Sequence, residues 1–436
     1  MRLRRGLMAL IAGVVVAAGS VMAFSPSGSA AVACSSTTWA EGVSYTAGQQ
    51  VTHQARLYQA LVTHTAWAGA GWTPSTTPTL WRDLGECSGG GTTSPSPSVS
   101  VSVSVSPSSS PSPSVSTSQP ACAVKGRPAG KVLQGYWENW DGASNGVHPG
   151  MGWIPINDSR ITQHGYNVLM AAFPVIRSDG TVLWENGMDA GVKVPTPAEI
   201  CAAKARGATV LMSIGGAAAG IDLSSSAVAD RFVATIVPIL KAGNFDGIDI
   251  DIETGLSGSG SITTLSPSQA NLIRIIDGVL AAMPPAFGLT MAPETAYVTG
   301  GSVTYGSIWG SYLPVIKRYL DNGRLWWLNM QYYNGSMYGC SGDSYAAGTV
   351  QGFTVQTQCL NNGLTIQGTT IRIPYDKQVP GLPAQPGAGG GYMTPSLVTQ
   401  AWNSVPGLKG LMTWSINWDG SKGWTFGDTV KGLQGR

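Results

Sequence analysis

Residues Phe245-Asp246-Gly247-Ile248-Asp249-Ile250-Asp251-Ile252-Glu253 place four carboxyl groups within eight positions. In an extended strand, residues two apart share a face. Asp249, Asp251 and Glu253 then line one side, and Ile248, Ile250 and Ile252 the other. An edge strand with a solvated acidic face satisfies the same pattern. If the strand belongs to a parallel barrel, both faces are buried. Several buried negative charges are costly unless protons are shared, and at least one pKa must rise. A raised carboxyl at the C-terminal end of a strand is what general acid catalysis near neutral pH needs. A calcium loop is excluded: counting from Asp249, the sixth residue is Thr254 rather than Gly and the twelfth is Gly260 rather than Glu. The four histidines are scattered and no HExxH or CxxC occurs, so neither a metal nor another cofactor is expected.

The elements that must position these acids recur at regular spacing. Strand-like runs lie near Val132–Tyr136, Val168–Phe173, Val210–Ile214, Gly247–Ile252, Leu289–Ala292, Leu325–Tyr332, Ile371–Tyr375 and Leu408–Trp414, with helical stretches such as Pro197–Arg206, Val228–Lys241 and Ser268–Met283 between them. Strands alternating with helices over residues 121–436 predict an α/β fold, a closed (β/α)8 TIM barrel. An open doubly wound sheet is the alternative.

Ahead of the barrel the chain changes character twice. Arg2, Arg4 and Arg5 precede a short apolar run from Leu7 to Ala18, and Ala31-Val32-Ala33 is a small-x-small cleavage site, so residues 1–33 read as an export signal. Residues 34–87 form a small unit of short strands rich in aromatics (Trp39, Tyr45, Tyr58, Trp67, Trp72, Trp81). So small a core hides only some of these, and exposed aromatics bind something. Residues 88–120 are Gly, Ser, Thr, Pro and Val, a composition that cannot build a core and makes an extended linker. Six cysteines in an exported chain imply disulfides; domain logic suggests Cys34–Cys87, Cys122–Cys201 and Cys340–Cys359. Charged residues are 11% of the chain, against about 25% in a typical domain, with a net charge of +2. No basic or acidic run points to nucleic acid. The 15 Trp and 14 Tyr against 7 Phe suit the flat apolar face of a sugar ring. The expected product is a secreted, extracellular monomer with no membrane association after signal cleavage.

Asp246-x-x-Asp249-x-Asp251-x-Glu253 resembles the DxxDxDxE signature of glycoside hydrolase family 18, the chitinases, in its bacterial, secreted form. Ser213-Ile214-Gly215-Gly216 is similar to that family's SxGG motif on the third strand. Thr290-Met291-Ala292-Pro293-Glu294, Met330-Gln331-Tyr332-Tyr333-Asn334 and Gly410-Leu411-Met412-Thr413-Trp414 resemble its fifth-, sixth- and eighth-strand segments. The likeness covers residues 130–420. In residues 34–87, Tyr58-x-Ala60, His64-Thr65, Gly71-Trp72-x-Pro74 and Leu80-Trp81 resemble the chitin-binding modules of carbohydrate-binding families 5 and 12. Trp72 and Trp67 are the expected sugar platform there, and Trp81 and Tyr58 the expected core.

The resemblance implies substrate-assisted retaining hydrolysis, outside the usual two-carboxylate scheme. Glu253 would protonate the glycosidic oxygen while the sugar's 2-acetamido carbonyl attacks the anomeric carbon. Asp251 would orient the acetamido N–H, and Asp249 would share a proton with Asp251, supported by Ser213. Tyr333 would bond the acetamido oxygen, with Tyr332 the alternative. Gln331 and Met291 would line the subsite and Trp414 would floor it. The substrates implied are chitin and N-acetylglucosamine oligosaccharides. With no room for an inserted domain between Tyr375 and Leu408, an open groove cutting internal bonds is expected. The alternatives are an endo-β-N-acetylglucosaminidase acting on N-glycans and a non-catalytic chitin-binding protein; retention of Glu253 argues against the second.

Overall fold

A computed structural model describes residues 34, 36–40, 43–46, 48–60, 64–66, 73–75 and 81–87, and then 122–436 apart from 143–147, 149–150 and 218–219. Residues 1–33 and 88–120, expected from sequence to be an export signal and a linker, lie outside the described residues, as do the tryptophans Trp67 and Trp72. The chain divides into two compact units, with the boundary between Pro107 and Ser108.

In the first unit, Gln50–His53, Arg56–Ala60 and Trp81–Glu86 form an antiparallel three-stranded sheet, and Ser44–Tyr45 pairs with His64–Thr65. Tyr45, Val51, Tyr58, Ala60, Ala66 and Trp81 make its core, with Tyr45 edge-on to Trp81 at 5.0 Å. Cys34–Cys87 closes its ends; a loop of this size removes about 4 kcal/mol of unfolded-chain entropy, which so small a core needs. Tyr58 and Trp81 are buried as expected.

The second unit is an eight-stranded parallel sheet. Its strands are β1 (Val132–Glu138), β2 (Val168–Ala172), β3 (Thr209–Gly215), β4 (Gly247–Asp251), β5 (Gly288–Met291), β6 (Leu325–Leu328), β7 (Gly381–Pro383) and β8 (Gly410–Trp414). They are ordered β6-β5-β4-β3-β2-β1-β8-β7. The gap between β6 and β7 is spanned by the single parallel bridges Leu328↔Gln378 and Gln331↔Gly381, which curl the sheet into a barrel. Helices α1 (Ser159–Gln163), α2 (Pro197–Ala205), α3 (Ser226–Ala242), α4 (Pro267–Ala282), α5 (Leu313–Asp321), α6 (Val350–Asn362), α7 (Pro395–Ser404), α8 (Ile416–Ser421) and α9 (Thr425–Leu433) complete it. Their starts are written locally. Thr196 with Glu199, and Ser266 with Gln269, form capping boxes with Pro at the first helical position.

The sheet has two apolar sides. Leu133, Leu169, Val210, Met212, Ile248, Ile250, Leu289 and Leu411 pack outward against the helices. Val132, Val168, Met170, Leu211, Trp327 and Met412 fill the barrel floor. The expected seventh strand, Ile371–Tyr375, is corrected. Thr369–Ile371 pairs with Leu364–Ile366 in a hairpin, and the barrel strand is Gly381–Pro383. The other two disulfides are Cys122–Cys201 and Cys340–Cys359. Among the described residues, no helix is long and apolar enough to cross a membrane.

Candidate active site

Period-two alternation carries the chemistry into the barrel. The inward residues of β4 are Asp249 and Asp251; Glu253 follows just past the strand. Asp249 is fully buried and accepts four hydrogen bonds. Tyr136 Oη (2.7 Å) and Ser213 Oγ (2.8 Å) donate to Oδ2, and Thr290 Oγ1 (2.6 Å) and Asn329 Nδ2 (3.0 Å) to Oδ1. Both oxygens are saturated by partners on β1, β3, β5 and the extension of β6.

Asp251 and Glu253 are treated differently. One amide group, Gln331 Nε2, donates to Asp251 Oδ1 at 3.0 Å and to Glu253 Oε1 at 3.0 Å. The amide of Gln331 thus links Asp251 to Glu253, while Asp249 has its acceptor positions filled by four neutral donors. Burial pushes the Asp251 carboxyl well above the usual carboxylate range. The charges of Glu253, Asp249 and Glu294 push the same way, against the Gln331 bond. Burial likewise raises Glu253; Gln331 pulls it down and the nearby Glu294 pushes it up. Burial also raises Glu294.

The strand ends are held by backbone contacts. A Cβ at Gly215, whose φ is +110°, would lie 2.1 Å from the Asp251 carbonyl oxygen, and Gly216 N–H donates to that oxygen at 2.7 Å. The glycines of the SxGG motif thus allow β3 to close against the site. Tyr312 Oη donates to Ile252 O and accepts from Ile252 N–H, both at 2.9 Å, and Tyr297 Oη donates to Glu253 O at 2.7 Å. Glu253 therefore sits on a fixed main chain although it lies beyond the sheet.

Tyr333 is buried among the inward side chains with Tyr136 and Trp414. Burial and the charges of Asp251, Glu253, Glu294 and Asp249 keep its phenol protonated far above the usual range. Tyr332 faces away: it packs edge-on to Phe353 of α6 at 5.4 Å and accepts from Thr357 at 3.2 Å. Trp414 ends β8, half-exposed, and stacks on Phe173 at 6.0 Å and 14°, with Tyr136 and Trp140 also against it. Met291 is corrected. It pairs in register with outward Ile250 and packs with the outer core, so Thr290 on β5 and Ala292 just past it are the residues that face the interior. Tyr136, Thr290, Tyr297, Tyr312, Phe173 and Trp140 were not singled out from sequence for this site. The polar alternation Gln134, Tyr136, Glu138 in an otherwise apolar strand was the available signal. Among the described residues no group of three or more His, Cys, Asp or Glu is arranged to hold a metal ion.

Coupled carboxyls raised by burial, at the C-terminal mouth of a parallel barrel and beside an aromatic wall, define a glycoside hydrolase site. Family comparisons give the same class. The profile described as "Glycosyl hydrolases family 18" matches residues 132–284, and that described as "Carbohydrate-binding module family 5/12" matches residues 38–82. Endochitinase 37 of Trichoderma harzianum is 80% identical over 313 residues, 72% of this chain and 93% of the relative. Endochitinase 4 of Metarhizium robertsii is 80% identical over 312 residues, 71% and 90% of the two chains. A solved family GH18 chitinase from Chromobacterium violaceum superimposes with a TM-score of 0.61 at 29% identity, covering 92% of this chain and all of that one. The chain belongs to glycoside hydrolase family 18 and carries an N-terminal family 5/12 module. Two of these relatives are fungal and one is bacterial, so the likeness does not assign a bacterial source.

Proposed function

We propose that the barrel is an endo-acting chitinase, cleaving internal β-1,4-N-acetylglucosaminide bonds by substrate-assisted retention. One observation carries this reading: Gln331 holds Asp251 and Glu253 side by side at the mouth, with both carboxyls raised. Glu253, the more exposed of the two, is the group placed to deliver a proton to a leaving oxygen. Asp251, one turn of the pleat deeper, is placed to receive the acetamido N–H and to balance positive charge as the acetamido oxygen attacks carbon. Asp249, already satisfied, fixes the depth of that subsite through Tyr136, Ser213, Thr290 and Asn329. Tyr333 keeps its proton and so can donate to the acetamido oxygen. Trp414, backed by Phe173, offers the apolar floor. Water then opens the intermediate, with Glu253 as base.

The similarity to relatives named endochitinases supports chitin as the polymer. The short β7–β8 connection, residues 384–409 with α7 within it, leaves the groove without an added wall and supports attack inside the chain. Export is supported by the basic-then-apolar start of the sequence and by the three disulfides; the family 5/12 module would hold the enzyme on insoluble chitin, with Trp67 and Trp72 the residues proposed to touch it. The test is chromatography of products from insoluble chitin for wild type and Glu253→Gln. Wild type should release a spread of oligosaccharides from the start, and the variant should bind yet release at least ~10²-fold less. Chitin that is bound but not cut by wild type would sink the reading, and release of one short product from chain ends alone would sink its endo part.

A further inference from the structure

A second buried ionisable cluster sits at the end of β1, and the mechanism above leaves it unused. Glu138 and His148 are both fully buried. Glu138 Oε2 lies 2.5 Å from His148 Nε2. The other ring nitrogen, Nδ1, faces the Met151 carbonyl at 3.4 Å. Both ring nitrogens thus meet acceptors, which suits the doubly protonated imidazolium. Burial alone would lower the His148 pKa; Glu138, the Met151 carbonyl and the nearby Asp141 outweigh it and raise it. The ring occupies the space over Gly142, where any Cβ would collide with it at 1.8 Å. It also meets Trp418 edge-on at 5.9 Å.

The remaining Glu138 oxygen, Oε1, accepts from Ser415 Oγ. Ser415 directly follows Trp414 and caps α8, its Oγ accepting from Trp418 N–H at 3.1 Å. The backbone N–H of Glu138 donates to Asn417 Oδ1 at 3.0 Å. The next residue, Asn139, donates from its side chain to the Phe173 carbonyl at 2.9 Å, and Phe173 is the ring stacked on Trp414. The end of β1 therefore grips the polypeptide at both aromatic walls.

We propose that Glu138 is a positioning residue for hydrolysis: held by His148, it fixes Ser415 and through it the plane of Trp414 beneath the bound sugar. This rests on Trp414 being the floor of the cleft. A buried charge pair is a poor device for stability alone, since its desolvation offsets most of the attraction. It does specify one geometry, and small misplacements near a reacting centre cost up to ~10²-fold in rate.

The test is a double-mutant cycle of Glu138→Ala and Trp414→Ala in the full chain, read as kcat/KM on a chromogenic N-acetylglucosamine oligosaccharide, with thermal melts of each variant. Glu138→Ala should lower kcat/KM by about tenfold to a hundredfold. In the Trp414→Ala background it should add no more than about a further twofold, because the element it positions is gone. Glu138→Gln, which keeps an acceptor for Ser415, should recover most of the loss. Losses that multiply, or a Glu138→Ala enzyme with wild-type kcat/KM, overturn the proposal while leaving the proposed activity intact. A silent Trp414→Ala overturns both the floor and its positioning, whereas loss of chitin cleavage in wild type strikes the proposed activity alone. If Glu138→Ala does not fold, Ser415→Ala breaks the same bond from the other side and enters the same cycle.

Discussion

The two ends of β4 carry the same kind of residue and treat it in opposite ways. At the floor, Asp246 is buried and meets Lys204 Nζ at 2.6 Å, with the backbone N–H groups of Lys125 (2.7 Å) and Val210 (2.9 Å) donating to it as well. At the mouth, Asp251 and Glu253 share the single neutral amide of Gln331. Burial raises the Asp246 carboxyl too, but the Lys125 N–H and the Lys204 cation pull it back; Asp251, five positions on, has no such cation among its partners. Among the described residues no lysine or arginine acts on Asp251 or Glu253, so a proton is the counter-ion that remains. A proton is also the thing a glycoside hydrolase has to give away. The floor is arranged to hold one geometry and the mouth to move protons, as the barrel fold generally divides its two faces.

That contrast can be broken from either end. The largest effect is expected from Asp251→Asn, which should cost about 10²–10³-fold in kcat, the scale for losing an electrostatic stabiliser in a closed site. The same change should raise the melting temperature at neutral pH. A carboxyl raised in the folded state contributes stability that is fully present below its unfolded pKa and lost as pH rises through its folded pKa. Asparagine removes that loss. A drop in both activity and melting temperature would contradict the comparison. At the floor, Lys204→Met leaves a buried aspartate without its cation and should destabilise by about 3–5 kcal/mol, measured by denaturant melts. The protein that remains folded should keep its kcat. The smallest effect is expected from Glu294→Gln. Removing that half-exposed charge lowers the Glu253 pKa, so the alkaline limb of kcat/KM should move to lower pH while the plateau rate is kept. A limb that moves upward would show that Glu294 does not act on Glu253 through its charge.

Much of the site was legible because alternation in a buried strand is strict. Asp249 and Asp251 on β4, Glu253 just past it, and Asn329, Gln331 and Tyr333 beyond β6, needed only the period of two to be aimed inward. The same rule, applied to β5, puts Thr290 inward and Met291 outward; reading that stretch as a motif rather than as a strand hid this. The seventh strand escaped for a different reason. Pro380-Gly381-Leu382-Pro383 has one outward apolar side chain and reads as a turn, while Ile371-Arg372-Ile373 has the better strand composition and is used in a hairpin. The bonding around the acids was not readable at all. It depends on donors from β1, β3 and β5 that are remote in sequence, such as Tyr136 at 113 residues from Asp249. Glu138 and His148 were hidden similarly, since a lone histidine in a Gly-rich loop gives no sign of the carboxylate it will meet.

The closure between β6 and β7 has a consequence for the site. Every other pair of neighbouring barrel strands is joined by a run of ladder contacts, whereas this seam is joined at the isolated bridges of Leu328 and Gln331, through Val379 N–H to Leu328 O (2.9 Å), Gly381 N–H to Met330 O (2.9 Å) and Tyr332 N–H to Gly381 O (3.0 Å). The residue that clasps Asp251 to Glu253 is itself one of the two stitches. Its own N–H donates to Pro293 O at 3.0 Å, and the seam bonds of Met330 and Tyr332 flank it. Closing the barrel and setting the amide between the acids are therefore one and the same act of folding.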